Sequence, residues 1–328
     1  MLPPLTAHSW LTSWVADPLG ILLAVGLTAA YAVCLVAARR RGARLPWLRT
    51  VAFLLLGVGT LVVATCGVLA AYRGTLFWVA AAQVAVLSAI TPLGIALGDP
   101  VGLLGKAVGD RGSARLSRLL RGRVARVLMF PLVSSLIAVG SLVLVFFTPY
   151  LETSVSSAGV RELLYLQLLV TGSLFVLPLL GEDMLPEWCT HPVRAMFAFV
   201  DGLADAVPGI LVMTAPGLLA ARVPGFVHRT WGPTPSWDQK LGGGAMLGIA
   251  ECVGLPFLGA VLVAWVRADD AEAKALDAEL DRQRAAEAGA AVPGSSRGGP
   301  ASAAAPATPP QRDRPWWETD PRFQERRR

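Results

Sequence analysis

Charge is scarce in this chain. Only 16% of its 328 residues are Asp, Glu, Lys or Arg, against roughly 25% in a soluble domain. Hydrophobic residues make up 54%, and the mean hydropathy is +0.55. A water-soluble globule could not shield that much apolar surface. The balance excludes a disordered chain, an ordinary nucleic-acid binder and a secreted disulfide scaffold. Histidine is scarcer still. His8, His191 and His228 are the only three, and all lie outside the long apolar runs. That argues against a haem held between helices by two histidines, and against a His-ligated copper centre in a bilayer. The four cysteines, Cys34, Cys66, Cys189 and Cys252, form no CxxC pair. Three of them lie in apolar runs, where a small thiol packs as a hydrophobe. No Gly-rich phosphate loop, zinc-protease motif or cysteine cluster is found. Nothing in the motifs points to an enzyme, and no resident cofactor is expected.

What is abundant is long apolar sequence. Seven runs approach the roughly 20 residues needed to cross a bilayer. They lie near 18–38, 51–72, 76–97, 127–148, 162–181, 195–221 and 243–266. None alternates with the period of a strand, and helices satisfy their own backbone in lipid. The expected class is all-α: a polytopic membrane helix bundle of about seven spans, occupying residues 1–266. The first 17 residues contain no Lys or Arg. The basic start of a signal peptide is therefore missing, and the first run reads as a retained span.

The net charge of +6 belongs entirely to residues 1–266, which hold 18 basic and 12 acidic residues. Twelve of those 18 basic residues fall in two stretches, 39–49 and 106–126. Both connections lie on one side in a seven-span count. The opposite side has only Arg73, Arg161, Arg222, Arg229 and Lys240. The positive-inside rule then places the N-terminus outside and the C-terminus in the cytoplasm of a multi-pass plasma-membrane protein. Leu103, Leu104, Leu116, Leu119 and Leu120 interleave with basic residues in 98–126. An interfacial helix on anionic lipid and a solvated topogenic loop both fit that pattern. After Arg267 the chain turns polar. Residues 267–287 read as a cytoplasmic helical extension, with acids early and Arg282 and Arg284 late. Residues 288–328 read as a flexible tail ending in aromatic and basic residues. Its first part, 288–310, holds five prolines and one charge.

Ionisable or strongly polar side chains inside a span are functional candidates by default. Gln83 lies in the third run. Asp201 and Asp205 lie four residues apart on one face of the sixth, and Glu251 lies within the last. One reading is a shared polar site at Gln83, Asp201, Asp205 and Glu251, used by protons, a cation or a partner's polar group. The other leaves the Asp pair in water near the cytoplasmic face and Glu251 hydrogen-bonded inside the bundle. Met213 and Met246 have soft thioethers, but no spacing with Cys66 or Cys252 forces a copper site. Gly242-Gly243-Gly244 opens the last run, where small residues allow helices to approach closely. Trp231 and Trp237 lie at a span edge, the usual place for an interfacial anchor.

Several stretches occur in a recognisable order. Trp14, Asp17-Pro18, Tyr31, the Arg39–Arg41 cluster, Trp47, Arg49 and Phe53 come first. Leu76-Phe77, Gln83, Thr91-Pro92-Leu93 and Gly98-Asp99-Pro100-Val101 follow. Then come Gly172, Leu174, Phe175, Pro178, Leu179 and Gly181, next Asp238-Gln239 and Met246, and last Trp265 to Asp269-Asp270. In this order the chain, over roughly 14–285, resembles the CtaG family of bacterial cytochrome c oxidase assembly proteins in its actinobacterial form. The resemblance implies assembly or maturation of that oxidase through contacts with its subunits or with other assembly factors inside the bilayer. It also implies copper as the metal concerned. The family's third span typically carries two histidines flanking a Gln. Here Gln83 remains, but Ala80 and Val84 stand in the histidine positions. The fifth span usually starts with a histidine, where this chain has Tyr165 and Gln167. The copper-ligating set implied by the family is absent, which marks a diverged member. Two other functions remain open: a small-solute or ion transporter using the carboxylates, and a structural subunit of a respiratory complex.

Overall fold

The computed structural model describes residues 2–43, 46–120, 122–128, 130–180 and 191–290. Every regular element among them is helical. In chain order they are α1 (Ala7–Thr12), α2 (Pro18–Arg40), α3 (Trp47–Ala52), α4 (Thr60–Cys66), α5 (Val68–Tyr72), α6 (Phe77–Ala85), α7 (Thr91–Leu97) and α8 (Pro100–Leu120). There follow α9 (Arg123–Leu128), α10 (Pro131–Phe147), α11 (Tyr150–Ser156), α12 (Ala158–Leu180), α13 (His191–Thr214), α14 (Pro224–Val227) and α15 (Pro235–Ala290). Two π-helical segments, Phe53–Gly59 and Val86–Ile90, join α3 to α4 and α6 to α7.

Five stretches are long and apolar enough to cross a membrane: Pro18–Arg40, Trp47–Tyr72, Phe77–Gly109, Ala195–Thr214 and Pro235–Ala285. Leu132–Phe147 and Tyr150–Ser156, bent by 67°, make a sixth when counted as one span. Five or six is therefore the number of spans supported here. The remaining expected run, 162–181, lies on α12. Three boundaries differ from expectation. The sixth run stops being helical at Thr214, just before Pro216, because the ring of proline disfavours a helical residue ahead of it. The last helix starts at Pro235, before the expected 243, so Gly242-Gly243-Gly244 lies within it. The fourth run ends at Phe147, ahead of Pro149, and the chain bends there. The connection 182–194 falls mostly outside the described residues, as does most of the tail at 288–328.

The local starts have simple causes. Asp17 caps α2, accepting from the Gly20 amide at 2.9 Å, and Pro18 occupies the first turn where no N–H is needed. The connection before α8 turns through Asp99, whose φ of 49° is a left-handed conformation that Asp tolerates. Its carboxylate then accepts from the Gly102 amide at 3.0 Å and pairs with Arg49 at 2.6 Å.

Helix α6 is the axis of the bundle. Its sequence is apolar all round, the pattern of a helix with no lipid or solvent face. In the most apolar window of Phe77–Gly109, 67% of residues are buried, against 17% for Pro18–Arg40. Leu61, Val79, Ala80, Leu87, Leu164 and Val212 pack together in the core around it. Helix α2 turns Ile21, Leu22, Val25, Val33 and Val36 outward, and α15 does the same with Leu255, Leu262, Val263 and Val266. Outward apolar faces of that size are lipid-facing surface in a membrane bundle.

Backbones meet where side chains are absent. A Cβ on Gly94 would overlap the backbone of Leu56 and Gly57, so α7 and the π-helical segment Phe53–Gly59 touch main chain to main chain. A Cβ on Gly243 would lie 2.5 Å from the Gly209 carbonyl oxygen. Two compact units divide the chain, Met1–Asp270 and Ala271–Arg328. The described part of the second is the polar end of α15. Its Glu279–Arg282 and Asp281–Arg284 pairs, at 3.2 and 3.4 Å, are exposed and add little stability.

Gly94→Ala is expected to destabilise the bundle by about 1–3 kcal/mol, the usual range for an overpacked core. Gly26→Ala, where nothing lies within 4 Å, is expected to be neutral or to stabilise by up to about 1 kcal/mol. Thermal unfolding of both variants in detergent checks the contrast. Equal melting temperatures would contradict the close contact at Gly94.

Candidate functional site

Among the described residues, three polar assemblies stand out as candidates for a site. The first surrounds Gln83 on α6, which is 1% exposed. Its amide nitrogen donates to the Ala64 carbonyl at 2.6 Å and to the Tyr165 hydroxyl at 2.9 Å. One side chain thus ties α6 to α4 and α12. The Arg73 guanidinium stands 5.7 Å from the centre of the Tyr165 ring, within cation–π range. Arg73 also donates to the Ser154 carbonyl at 3.1 Å and to the Ser154 hydroxyl at 2.7 Å. Its Nε is buried without an acceptor among the described residues. Burial pulls the pKa of Arg73 below its ordinary value, and the electronegative Tyr165 and Asp17 partly oppose that pull. Alongside, Arg161 pairs with the buried Asp17 at 3.2 Å. This assembly therefore joins Asp17, Arg73, Gln83, Ser154, Arg161 and Tyr165 from four parts of the sequence.

The second assembly sits at the start of α15. Asp238, fully buried, accepts from the Phe77 amide at 2.8 Å and the Trp78 amide at 3.1 Å. It caps the N-terminus of α6 from a distant segment. Arg229 pairs with the same carboxylate at 2.9 Å and also donates to the carbonyls of Trp231, Phe226 and Pro233. The next residue, Gln239, accepts from the Leu219 amide at 2.7 Å. It donates to the carbonyls of Val212 and Gly217, at the end of α13.

The third is a cavity of about 70 Å³ between α6–α7, α10, α12, α13 and α15. Small residues shape it, among them Ala89, Gly172, Ala198, Gly202 and Gly254. Its polar side chains are Ser88 and Asp205. No hydrogen-bond donor meets the Asp205 carboxylate among the described residues. Glu251 on α15 lies close enough for its charge to act on Asp205.

The expected polar residues are thus distributed over two places. Asp205 and Glu251 come together. Neither Glu251 nor Gln83 is among the residues lining the Asp205 cavity; the hydrogen bonds of Gln83 hold helices instead. Asp201 lies one turn before Asp205 on α13, and its side chain is outside the described residues. Arg73, Arg161 and Ser154 were not expected as site residues. Arg73 reads in the sequence only as a lone charge between two apolar runs, and its pairing across 81 residues leaves no local signal.

The assembly around Gln83 does not fit copper. Ala80 and Val84 are buried apolar side chains there, and neither offers an imidazole. The Gln83 amide nitrogen is occupied, Tyr165 accepts from it, and the nearby group with spare capacity is a guanidinium, which repels a cation. No group of three His, Cys, Asp or Glu side chains capable of holding a metal occurs among the described residues.

A bundle of apolar helices, lipid-facing outside and cross-tied by buried polar side chains, defines an α-helical polytopic membrane protein. The chain belongs to the cytochrome c oxidase caa3 assembly factor family, whose model matches residues 29–268. Two uncharacterized proteins, from Mycobacterium bovis and Mycobacterium tuberculosis, are each 31% identical over 290 residues. That alignment covers 85% of this chain and 43% of each relative. An uncharacterized protein of Mycobacterium leprae is 27% identical over 277 residues, covering 82% of this chain and 42% of its own length. The chain therefore spans less than half the length of these relatives. No solved structure matches it.

Asp238→Ala strips α6 of its cap and leaves Arg229 without its counter-charge. It is expected to lower stability by on the order of 3–5 kcal/mol, as when one partner of a buried pair is removed. Asp238→Asn keeps one oxygen for one amide and is expected to fall between wild type and Asp238→Ala. Denaturant unfolding in detergent measures the order. An unchanged Asp238→Ala would show that the cap carries no weight.

Proposed function

We propose that this chain is a membrane-embedded assembly factor for cytochrome c oxidase, acting by protein contacts within the bilayer and not by ligating copper. The observation that carries the reading is the family match over residues 29–268, which takes in nearly the whole helical bundle. Its partners are oxidase subunits or other assembly factors, and its role is non-catalytic. The outward apolar faces of α2 and α15 offer surface on which a partner helix could replace lipid. Helices in a membrane associate by packing and by polar cross-ties, both of which such faces permit.

The copper-free part of the reading rests on residue chemistry. Imidazole, thiolate and thioether are the side chains that hold copper. The place where the family implies a copper set is filled here by Ala80, Val84, the Gln83–Tyr165 pair and Arg73. We place the protein in the plasma membrane with the N-terminus outside and the C-terminus in the cytoplasm. The clustering of basic segments supports this orientation. The Arg49–Asp99 pair brings the 39–49 stretch to the start of α8, and the Arg41 guanidinium reaches Gly109. Both basic stretches therefore gather at one end of the bundle, as cytoplasmic segments do.

Deleting the gene is expected to lower oxidase activity and the reduced haem a absorbance of membranes, and restoring the gene to recover both. Added copper is expected not to replace it. An unchanged oxidase would sink the assembly reading. Recovery with copper alone would place the chain in copper supply, against the residue chemistry above. Co-purification with mature oxidase at fixed stoichiometry would mark a structural subunit instead.

A further inference from the structure

We propose that the Asp205 cavity binds a small monovalent cation inside the bilayer. The cavity lies among the helices and is partly open, and its volume of about 70 Å³ is room for roughly five to seven waters at 10–15 Å³ each. An empty cavity of that size would be expected to be apolar throughout. This one has a carboxylate in its wall, with no donor among the described residues to satisfy it. No Lys, Arg or His is among the lining residues.

A carboxylate in a bilayer is expensive to keep without a counter-charge. Glu251 makes matters worse, since its charge acts on Asp205. Asp205, with Glu251 near it, therefore faces a small cavity with no basic side chain among its lining residues. A cation is the ligand that removes the imbalance.

The donors around the cavity are hard oxygens. Ser88 offers a hydroxyl. It sits within the π-helical segment Val86–Ile90, where the backbone bonds depart from the α pattern, a geometry often found at functional sites. On α13, Pro208 has no N–H, so the Ala204 carbonyl next to Asp205 lacks its usual helical donor. Broken helices that turn freed carbonyls toward a membrane-embedded cation are an established way to build such sites. Oxygen donors of this kind suit hard cations over copper or zinc. A single carboxylate among the lining residues suits a monovalent ion better than a divalent one. The inference stands apart from the assembly reading. It does not require that oxidase activity depend on the ion.

The test is thermal unfolding of the purified full chain in lipid nanodiscs, at constant ionic strength, in sodium, potassium or choline chloride, with calcium chloride as a further arm. Wild type is expected to gain several degrees in sodium or potassium relative to choline, saturably, as a ligand bound only by the folded state requires. Asp205→Asn, which removes the charge at constant shape, is expected to abolish the gain. Gly202→Leu is expected to do the same by filling the cavity without touching the charge, since nothing lies within 4 Å of a Cβ there. Glu251→Gln is expected to raise the half-saturating concentration several-fold. No cation-specific gain in wild type, a gain retained in either Asp205→Asn or Gly202→Leu, or a gain with calcium alone would each overturn the proposal. None of these outcomes bears on the oxidase phenotype of the deletion strain, so the two readings fail separately.

Discussion

The capping of α6 by Asp238 is the interaction on which the bundle depends. A helix buried on every side has no solvent at its end. Its first amides must then find acceptors within the protein or remain unpaired in a low-dielectric interior. Asp238 supplies both acceptors, to Phe77 and Trp78. Because it comes from the first turn of α15, it also fixes where the last span meets the axis helix. Gln239 beside it satisfies carbonyls at the end of α13. Two consecutive residues thus lock the ends of three helices, which is more than packing of Gly and Ala surfaces could specify. Arg229 pairs with the carboxylate and closes the gap between the capping segment and α14.

The Gln83 assembly shows how a buried polar core is satisfied by side chains and main chain alone. Ala80 and Val84 offer no polar group beside Gln83 in the third span. A lone buried Gln would then be left with unsatisfied groups, at a cost of several kcal/mol in hydrocarbon. Tyr165 and the Ala64 carbonyl take up both hydrogens of its amide. Arg73 in turn leans on the Tyr165 ring and on Ser154. Buried charge tied down in this way gives the helices one register, which is the role polar core groups are best known to play. It also excludes a second cation from the same space.

The helical class, the membrane setting and the positions of the apolar runs were legible in the sequence because a bilayer imposes length and composition on each span. The family was legible from the order of short motifs. Span ends were less so. Pro149 and Pro216 end helices that hydropathy alone would extend, and the apolar signal at 243 hides a helix that starts at Pro235. Individual polar residues were legible as candidates, but their partners were not. Gln83 and Asp205 look alike as polar residues in apolar runs. Only the folded chain shows that one is saturated by Ala64 and Tyr165 while the other faces a cavity. Arg73 and Ser154 left no trace, because nothing local links residues 81 positions apart.

The contrast between Gln83 and Asp205 separates structural from reactive polarity. Around Gln83, Tyr165 and Asp238 nearly every polar atom has a partner, and Arg73 Nε is the exception among the described residues there. Such a network resists change, since any ligand would have to break bonds already made. At Asp205 the balance runs the other way. The Asp205 carboxylate, with Glu251 near it, and a hydroxyl within a π-helical turn meet at space that small residues keep open. A ligand arriving there breaks nothing and relieves repulsion. The saturated networks hold α6, α12 and α15 in place, and the residues these helices bring to the cavity are left free to interact. The proposed cation site therefore rests on the unsaturated carboxylate at the cavity, while the saturated network around Gln83 serves to hold the helices together.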